Sequence, residues 1–200
     1  MKANETAIVF IEFQNDFCKE GGGLFDGVKE QIREQNTIKN AADCLAKARG
    51  RCVTIHCPIL FEQDYRDMGA KDVLGPIHKN VKKSKSFRKG TWGGEIVEEM
   101  KPKEKDLVVD GKRTCNAFHS SNLDYLLRVN RITNVGFCGF LTNVCVESTA
   151  RSAYDLGYKI FLLKDCCAAL SAKEQRYVEE TSFPFYGEVL SHNEFLKRLE

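Results

Sequence analysis

The feature of this sequence that most constrains its fold is the alternation of short, almost continuously apolar runs with longer segments of helical periodicity. Two of the runs read TAIVFIEF at 6–13 and KIFLLKD at 159–165. Strands that are apolar on both faces are typical of a parallel sheet covered by helices, and their alternation with helical patterns is typical of βαβ units. We therefore predict an α/β protein with a three-layer α/β/α, Rossmann-like fold and a six-stranded, mainly parallel sheet.

These patterns predict six strands and six helices. The predicted strands cover 6–13, 52–59, 106–111, 132–140, 159–165 and, from a weaker pattern, 186–191. The predicted helices cover 34–49, 92–100, 120–130, 142–156, 171–182 and 192–199. The sequence shows no internal repeat, linker or low-complexity tract, so residues 1–200 are predicted to form a single domain.

Two segments interrupt this alternation. Residues 18–27 follow the first predicted strand and residues 61–94 follow the second. Ligands of open parallel sheets bind beyond the carboxyl ends of the strands, so both segments are predicted to form walls of a pocket. A loop as long as 61–94 is uncommon unless it has a function. Whether it closes as a lid or contacts another subunit is left open by the sequence.

The charge balance and the apolar runs exclude several classes of partner. Thirty basic residues against twenty-eight acidic ones give a net charge of +2, which does not favour binding to nucleic acid. The longest apolar runs, such as AIVFIEF, are too short to span a bilayer. The start MKANETAIVF lacks the apolar stretch of a signal peptide. We expect a cytoplasmic protein with a small-molecule partner and no membrane partner.

The nine cysteines do not form a recognisable framework. Their number is odd, and the sequence has no CxxC pair and no paired His/Cys spacing. Neither disulfides nor a zinc site are predicted, and no metal or other cofactor is expected. Most of these thiols are expected to be small buried side chains in a reducing compartment. The adjacent Cys166 and Cys167 leave open the alternative of a thiol redox sensor.

Three reactive side chains follow the ends of predicted strands. Glu12 ends the first strand, Lys112 follows the third, and Cys145 follows the fourth. A thiol, a carboxylate and an ammonium group are what nucleophilic attack on a carbonyl needs, provided that the strands lie close together. If Thr142 is the N-cap of the helix, Cys145 lies at its third position. There the helix dipole, with Lys112 nearby, is expected to lower the pKa of the thiol.

Three motifs in this order resemble the isochorismatase-like cysteine hydrolase superfamily. They are IVFIEFQNDF, GKRTCNAF and GFLTNVCVESTARSAYDLGY, and the resemblance covers nearly the whole chain. The segment KGTWGGEI and the wide lysine-rich loop resemble the metal-free amidohydrolases of that superfamily, such as the ureidoacrylate, biuret and N-carbamoylsarcosine hydrolases. Nicotinamidases of the superfamily carry a metal-binding pair where this chain reads HCPILF, so His56 is expected to be packed or capping.

The resemblance implies a catalytic triad. Cys145 is then the nucleophile, Lys112 the cation, and Glu12 takes the place of the aspartate that the superfamily uses. That replacement lengthens the carboxylate by one methylene group. The resemblance also implies a cis peptide bond between Phe140 and Leu141, and an oxyanion hole formed by the backbone N–H groups of Leu141 and Cys145.

Six further residues are candidates for substrate binding. Aromatic side chains wall many ligand pockets, and polar ones can bind a carboxylate or carbamoyl group. The candidates are Phe13, Gln14, Trp92, Arg113, Asn116 and Phe118. The basic cluster at 79–90 is expected to be a solvated loop.

The function predicted from these observations is a cysteine hydrolase that cleaves a C–N bond of a small amide, ureido or carbamoyl substrate through a thioester. Two alternatives remain beside the redox sensor. One is an isochorismatase-type hydrolase that cleaves a vinyl ether, and the other is a binding protein that lost catalysis when Glu12 replaced aspartate. The resemblance also implies a homo-oligomer.

Overall fold

The protein is built on one six-stranded sheet in which every strand pair is parallel. A computed structural model describes residues 1–69 and 73–200. The strands are β1 (Thr6–Ile11), β2 (Val53–Cys57), β3 (Leu107–Val108), β4 (Asn134–Phe140), β5 (Lys159–Ala168) and β6 (Glu188–Leu190). They lie in the order β3-β2-β1-β4-β5-β6. The α/β fold predicted from the apolar runs is confirmed.

The strand order places a topological switch point at the centre of the sheet. From β1 the chain builds outward through β2 and β3 on one side, then returns to the centre and builds through β4, β5 and β6 on the other. Connections leaving β1 and β4 therefore diverge, and a crevice is left between their carboxyl ends. All six residues of β1 are buried, as its continuous apolar run predicts.

Gly139 allows β4 to approach β1 closely at this crevice. Its backbone has a φ of +123°, and a Cβ there would lie 1.9 Å from the carbonyl oxygen of Ile11. A side chain cannot be accommodated at that distance, so the position requires glycine. The pairing of β4 with β5 shifts register between Phe137 and Gly139. The end of β4 is thereby turned toward the end of β1.

In the described residues, eight α-helices connect and cover the strands. They are α1 (Asn15–Cys18), α2 (Phe25–Gln35), α3 (Thr37–Ala48), α4 (Pro76–Ser84), α5 (Leu123–Val129), α6 (Glu147–Asp155), α7 (Ala172–Tyr177) and α8 (His192–Lys197). Helices α2 and α3 contact each other and β5, α8 contacts α3 and β5, and α6 contacts β5 from its own connection. None of the helices in the described residues is long and apolar enough to cross a bilayer.

The helix predicted at 92–100 is wrong. This segment forms two single 3-10 turns, Trp92–Gly94 and Glu98–Met100. Adjacent glycines disfavour a helix, and here Gly93 has a specific role. A Cβ at Gly93 would lie 2.4 Å from both carboxylate oxygens of Asp16. The glycine is needed for close packing against a buried carboxylate rather than for helix formation.

The long segment at 61–94 contains α4, which the sequence analysis missed. Pro76 occupies the first turn of this helix, and Lys85 ends it with a left-handed φ of 56°. Both are ordinary helix boundary signals. The expectation of a solvated loop at 79–90 is therefore wrong for 79–84, while residues 70–72 of the long segment lie outside the described residues. The lysines of the basic cluster lie on and after this helix.

Candidate active site

A cavity of about 430 Å³ opens beyond the carboxyl ends of β1 and β4. Its position at the topological switch point is where ligands bind in open α/β sheets. The walls come from both connections that the sequence marked as pocket walls, from α4, and from the turn that follows β4. The described residues that line it are Glu12, Phe17, Gly23, Leu24, Asp26, Gly27, Ile59, Phe61, Ile77, His78, Asn80, Val81, Phe87, Cys115, Leu141, Val144, Cys145 and Leu170.

Glu12 directs a carboxylate into this cavity from the end of β1. Its backbone N–H still donates to the carbonyl of Cys57 on β2 at 3.1 Å, but its φ is +58°. Non-glycine residues in this left-handed region carry backbone strain, which is tolerated where the surrounding structure enforces it. The side chain is 2% exposed. A carboxylate in so apolar a place needs a cationic partner.

Lys112 is that partner. Lys112 follows the edge strand β3, and β2 lies between β3 and β1. The strands that precede the three residues are therefore not all adjacent, although the prediction assumed that they lie close together. The segment after β3 crosses the end of β2, where the N–H of Leu60 donates to the carbonyl of Lys112 at 3.4 Å. The Lys112 Nζ donates to Glu12 Oε1, and to the carbonyl of Thr114 at 2.7 Å.

The electrostatics of this ion pair keep the lysine charged. Burial lowers the pKa of Lys112, but the negative charge of Glu12 and the neighbouring thiols of Cys145 and Cys57 raise the pKa above its ordinary value. A fixed positive charge therefore lies beside Glu12 and Cys145 at neutral pH.

Cys145 lies in the turn that follows β4, as predicted, but Thr142 is not its cap. Residues Thr142–Val146 form one π-helical turn that continues into α6, and Leu141 is the N-cap residue without a side-chain cap. The Thr142 hydroxyl donates to Gln175 Oε1 at 2.6 Å instead, because Gln175 is buried against it. The peptide bond between Phe140 and Leu141 is cis, at the position that the resemblance implies.

A second thiol, which the sequence analysis missed, lies beside Cys145. Cys115 lines the same cavity, and its thiol lies near enough to that of Cys145 for each to shift the pKa of the other. The Thr149 hydroxyl joins their backbones, since it contacts the carbonyl of Cys145 at 2.7 Å and that of Cys115 at 3.5 Å. The run TCNAF contained this thiol, but only the tertiary structure brings it to the nucleophile position.

The two thiols have opposite pKa directions. The interaction with the Cys145 thiol lowers the pKa of Cys115 to about 7, against the effect of burial. The same interaction, burial and the charge of Glu12 raise the pKa of Cys145 well above its ordinary value, and Lys112 opposes this only in part. This direction runs against the expectation of a lowered pKa at Cys145, which left out burial and the neighbouring thiol.

Three of the six candidate substrate-binding residues do not contribute to the described cavity wall. Gln14 donates to the carbonyls of Ile59 and Gly94 at 2.9 and 2.8 Å and accepts from the Ile59 N–H, so its amide is fully used. Phe13 is buried in the core with its ring centroid 5.2 Å from that of Phe140. Trp92 is 52% exposed and lies outside the cavity wall.

The other three candidates also lie outside the described cavity wall. Arg113 donates through Nε to Asp67 at 2.5 Å and through Nη1 to the carbonyl of Lys112 at 3.0 Å, so its guanidinium is already bonded. Asn116 donates to Ser152 Oγ at 2.6 Å and accepts from the N–H of Phe118, so it caps a short turn. The Phe118 ring stacks on Tyr158, with the ring centroids 6.3 Å apart. An ion pair accounts for Arg113, turn capping for Asn116 and ring stacking for Phe118.

Much of the cavity wall comes from helices that were not predicted. Helix α4 contributes Ile77, His78, Asn80 and Val81. The signal was present in the sequence, since Ile77 and Val81 are spaced four apart after Pro76. The run of lysines in the same segment concealed it.

One group of described side chains away from the cavity has donor atoms suited to a metal ion. Atoms of Asp165, Cys166 and His192 all lie within 4.8 Å of one another. Both ring nitrogens of His192 are already hydrogen-bonded, to Asp165 at 2.6 Å and to Asp43 at 2.9 Å. The arrangement fits a histidine held between two carboxylates.

His56 is packed, as expected, with its ring stacked on that of Phe10 and the ring centroids 5.7 Å apart.

The adjacent thiols Cys166 and Cys167 are both fully buried in β5. Burial raises the pKa of each well above its ordinary value. Reactive redox cysteines have a lowered pKa and access to solvent. Neither property is found here, so the structure does not favour a redox sensor at this pair.

Comparison with known proteins identifies the family to which the sequence is similar. The family model of the isochorismatase domain matches residues 6–194. The chain is 31% identical to the ureidoacrylate amidohydrolase RutB of Variovorax paradoxus, over 98% of this chain and 82% of that protein. It is 32% identical to the ureidoacrylate amidohydrolase RutB of Rhizobium rhizogenes, over 98% of this chain and 83% of that protein.

A solved structure shows the same fold. The cysteine hydrolase from Pseudomonas syringae pv. phaseolicola 1448A superposes with a TM-score of 0.86 at 27% identity, covering 99% of this chain and 93% of that one. The family model spans nearly the whole sequence, and the relatives match over almost its full length. The chain therefore belongs to the isochorismatase family of hydrolases.

Proposed function

We propose that this protein is a cysteine hydrolase that cleaves a C–N bond of a small amide, ureido or carbamoyl substrate through a thioester. One observation carries the proposal. Glu12 and Cys145 line the same end of one cavity, and the buried ammonium group of Lys112 contacts Glu12 there. A carboxylate, a cation and a thiol are thereby available to one bound carbonyl group.

The first step in this proposal is attack by Cys145. Because the pKa of Cys145 is raised, the nucleophile enters the reaction as a thiol and needs a base. Glu12 takes the proton as the sulfur adds to the carbonyl carbon. Lys112, whose charge persists, holds the Glu12 carboxylate in place and lies near the developing negative charge.

The tetrahedral anion is then stabilised by the backbone N–H groups of Leu141 and Cys145. Glu12 returns its proton to the leaving nitrogen, the C–N bond breaks, and ammonia or an amine departs. Water, deprotonated by Glu12, hydrolyses the thioester and releases Cys145. The first turn of a helix suits the anion because unpaired N–H groups and the helix dipole favour negative charge.

Two broader expectations belong to the same proposal. All nine cysteines are free thiols, in keeping with a reducing, cytoplasmic compartment. A homo-oligomer is proposed from the family resemblance, and large apolar side chains such as Phe185, 80% exposed, are available for subunit contacts. Light scattering coupled to size-exclusion chromatography tests the oligomer, and a monomeric mass would contradict it.

The proposal is tested with Cys145→Ala. Ammonia release is measured on a panel of small amides, ureides and N-carbamoyl amines, and the variant is expected to lose at least about 10⁴-fold in kcat. Cys52→Ala, at a half-buried thiol outside the cavity wall, is the matched control and keeps its activity. A Cys145→Ala protein with full activity would rule the scheme out.

Two further measurements separate the alternatives. Release of pyruvate from isochorismate, without ammonia release from the panel, would identify a vinyl-ether hydrolase. Glu12→Asp is expected to lower kcat by about two orders of magnitude, because the carboxylate retreats by about 1 Å from a geometry built around glutamate. An inactive wild type that gains turnover in Glu12→Asp would instead identify a binding protein that lost catalysis.

A further inference from the structure

The walls of the cavity beyond its reactive end are mostly apolar, and their polar side chains are Asp26, His78 and Asn80 among the described residues. Phe17, Phe61 and Phe87 supply aromatic rings, and the remaining apolar wall residues are aliphatic: Leu24, Ile59, Ile77, Val81, Val144 and Leu170. At about 430 Å³ the cavity has the size of a small-molecule pocket, roughly 300–1,000 Å³. A substrate whose amide carbon reaches Cys145 must place the rest of its atoms against these walls.

The described part of the cavity wall carries no permanent positive charge. Among the described residues that line it there is no lysine or arginine, whereas Glu12 and Asp26 are acidic. Lys112, behind Glu12, is 0% exposed at its side chain and already donates to two oxygens. The Asp26 carboxylate accepts from Lys29 at 2.8 Å on the outer side of α2.

Several described cations of the surrounding segments bond to other groups or lie outside the cavity wall. Arg113 binds Asp67, and Lys89 binds Glu62 at 2.6 Å. Helix α4 turns Ile77 and Val81 toward the cavity, while Lys79 and Lys83 on the same helix are exposed and outside its wall. A carboxylate carried deep into this space would lose its water without gaining a permanent counter-charge.

Resting on the function proposed above, we infer that the substrate is an uncharged amide or ureide with an apolar substituent, and that this pocket discriminates against substrates carrying a carboxylate. The name of the ureidoacrylate amidohydrolases, which are about 31% identical, denotes an acid. By this inference the chain differs from those relatives in the charge of its substrate.

The inference is tested by binding, which does not depend on turnover. The inactive Cys145→Ala protein is titrated calorimetrically with two pairs of equal length: hexanamide against 6-amino-6-oxohexanoate, and pentylurea against 5-ureidopentanoate. The neutral member of each pair is expected to bind at least about tenfold more tightly. Affinity in the series from propanamide to hexanamide is expected to rise roughly three- to fourfold per methylene.

A charge placed in the wall provides the converse test. Ile77→Lys is expected to raise the affinity for both acids and to reduce the neutral preference. Tyr125→Lys adds the same charge at a site that is 67% exposed and outside the cavity wall, and it should leave the preference unchanged. His78 is the described wall residue that could bind an acid when protonated, so His78→Gln is titrated in parallel.

The outcomes separate this inference from the proposed function. Equal or tighter binding of the acids overturns it, most directly if His78→Gln then abolishes their binding. Failure of all the neutral ligands to bind also overturns it. Neutral ligands that bind with the expected preference, but that the wild type does not hydrolyse, support the inference while refuting the hydrolase.

Discussion

At the scale of single residues, the pairing of Cys115 with Cys145 determines how the thiols of this site titrate. Two thiols that interact this closely lose their protons in two separated steps that belong to the pair. Because the pKa of the half-buried Cys115 is lowered to about 7 and that of Cys145 is raised, we expect the Cys115 thiol to contribute most to the first step. Cys145 alone therefore does not account for the acidity of the site.

Alkylation with iodoacetamide, followed by mass spectrometry, tests this assignment. In the wild type Cys115 is expected to react first, with a midpoint near pH 7, and Cys145 only at higher pH. In Cys115→Ser the largest cause that raises the pKa of Cys145 is removed, so its labelling should begin at lower pH and be faster at pH 7.5. Cys52→Ser is the control. Wild-type labelling that begins at Cys145 would contradict the assignment.

At the scale of elements, Asp16 joins three segments that surround the cavity. Its carboxylate accepts from the N–H of Gly23 at 3.0 Å and from the N–H of Phe87 at 2.6 Å, and Gly93 packs against it. Gly23 and Phe87 both line the cavity. One buried carboxylate in α1 thereby fixes the position of two walls that are distant in sequence.

Asp16→Ala should therefore damage binding more than chemistry. We expect KM to rise about tenfold with a much smaller change in kcat, and the free energy of unfolding to fall by about 2–3 kcal/mol as two buried N–H groups lose their acceptor. Steady-state kinetics and urea unfolding measure these quantities. The control is Asp64→Ala, which removes an exposed carboxylate from the segment 61–94. A loss of stability with an unchanged KM would show that Asp16 does not position the walls.

At the scale of the whole molecule, an ion-pair network secures the sheet edge away from the cavity. The buried Asp106 carboxylate accepts from Arg49 Nη2 and from the Thr54 hydroxyl, both at 2.6 Å, and from the N–H of Lys103 at 2.8 Å. Burial raises the pKa of Asp106, but these hydrogen bonds and the charge of Arg49 lower it far below the usual range. The network connects α3 and β2 to the start of β3.

This network makes global stability depend on acid. Because the pKa of Asp106 is lowered on folding, its stabilisation is complete above the ordinary aspartate pKa of about 3.9 and is lost as the pH falls toward the folded value. Asp106→Asn is expected to lower the free energy of unfolding at pH 7 by roughly 2–4 kcal/mol and to flatten its decline between about pH 5 and pH 2.

Urea unfolding at pH 7, 5 and 3 measures both effects. The exposed Glu98→Gln, which removes a surface ion pair with Lys101, is the control and should change stability by less than about 0.5 kcal/mol. Activity at pH 7 should be unchanged in both variants, since neither residue lines the cavity. An Asp106→Asn protein as stable as the wild type at pH 7 would show that the network contributes nothing net.

The successes and failures of sequence reasoning have physical causes. The buried strands were predictable because a strand covered on both faces must be apolar along its length, as β1 is. Helix α4 was missed because its exposed face is rich in lysine, although Pro76 marked its start. The helix expected at 92–100 failed because Gly93 packs against Asp16, a contact between residues 77 positions apart.

The sequence by itself determined the parallel α/β fold, the family, and the placement of Glu12, Lys112 and Cys145 near strand ends, because these follow from local periodicity and motif order. Only the tertiary structure decided what surrounds them. It seated Cys115 beside Cys145, directed Arg113 toward Asp67, and turned the apolar face of α4 into the cavity. Protonation and substrate preference depend on such contacts across the chain, since burial and neighbouring charges exist only once the chain is folded.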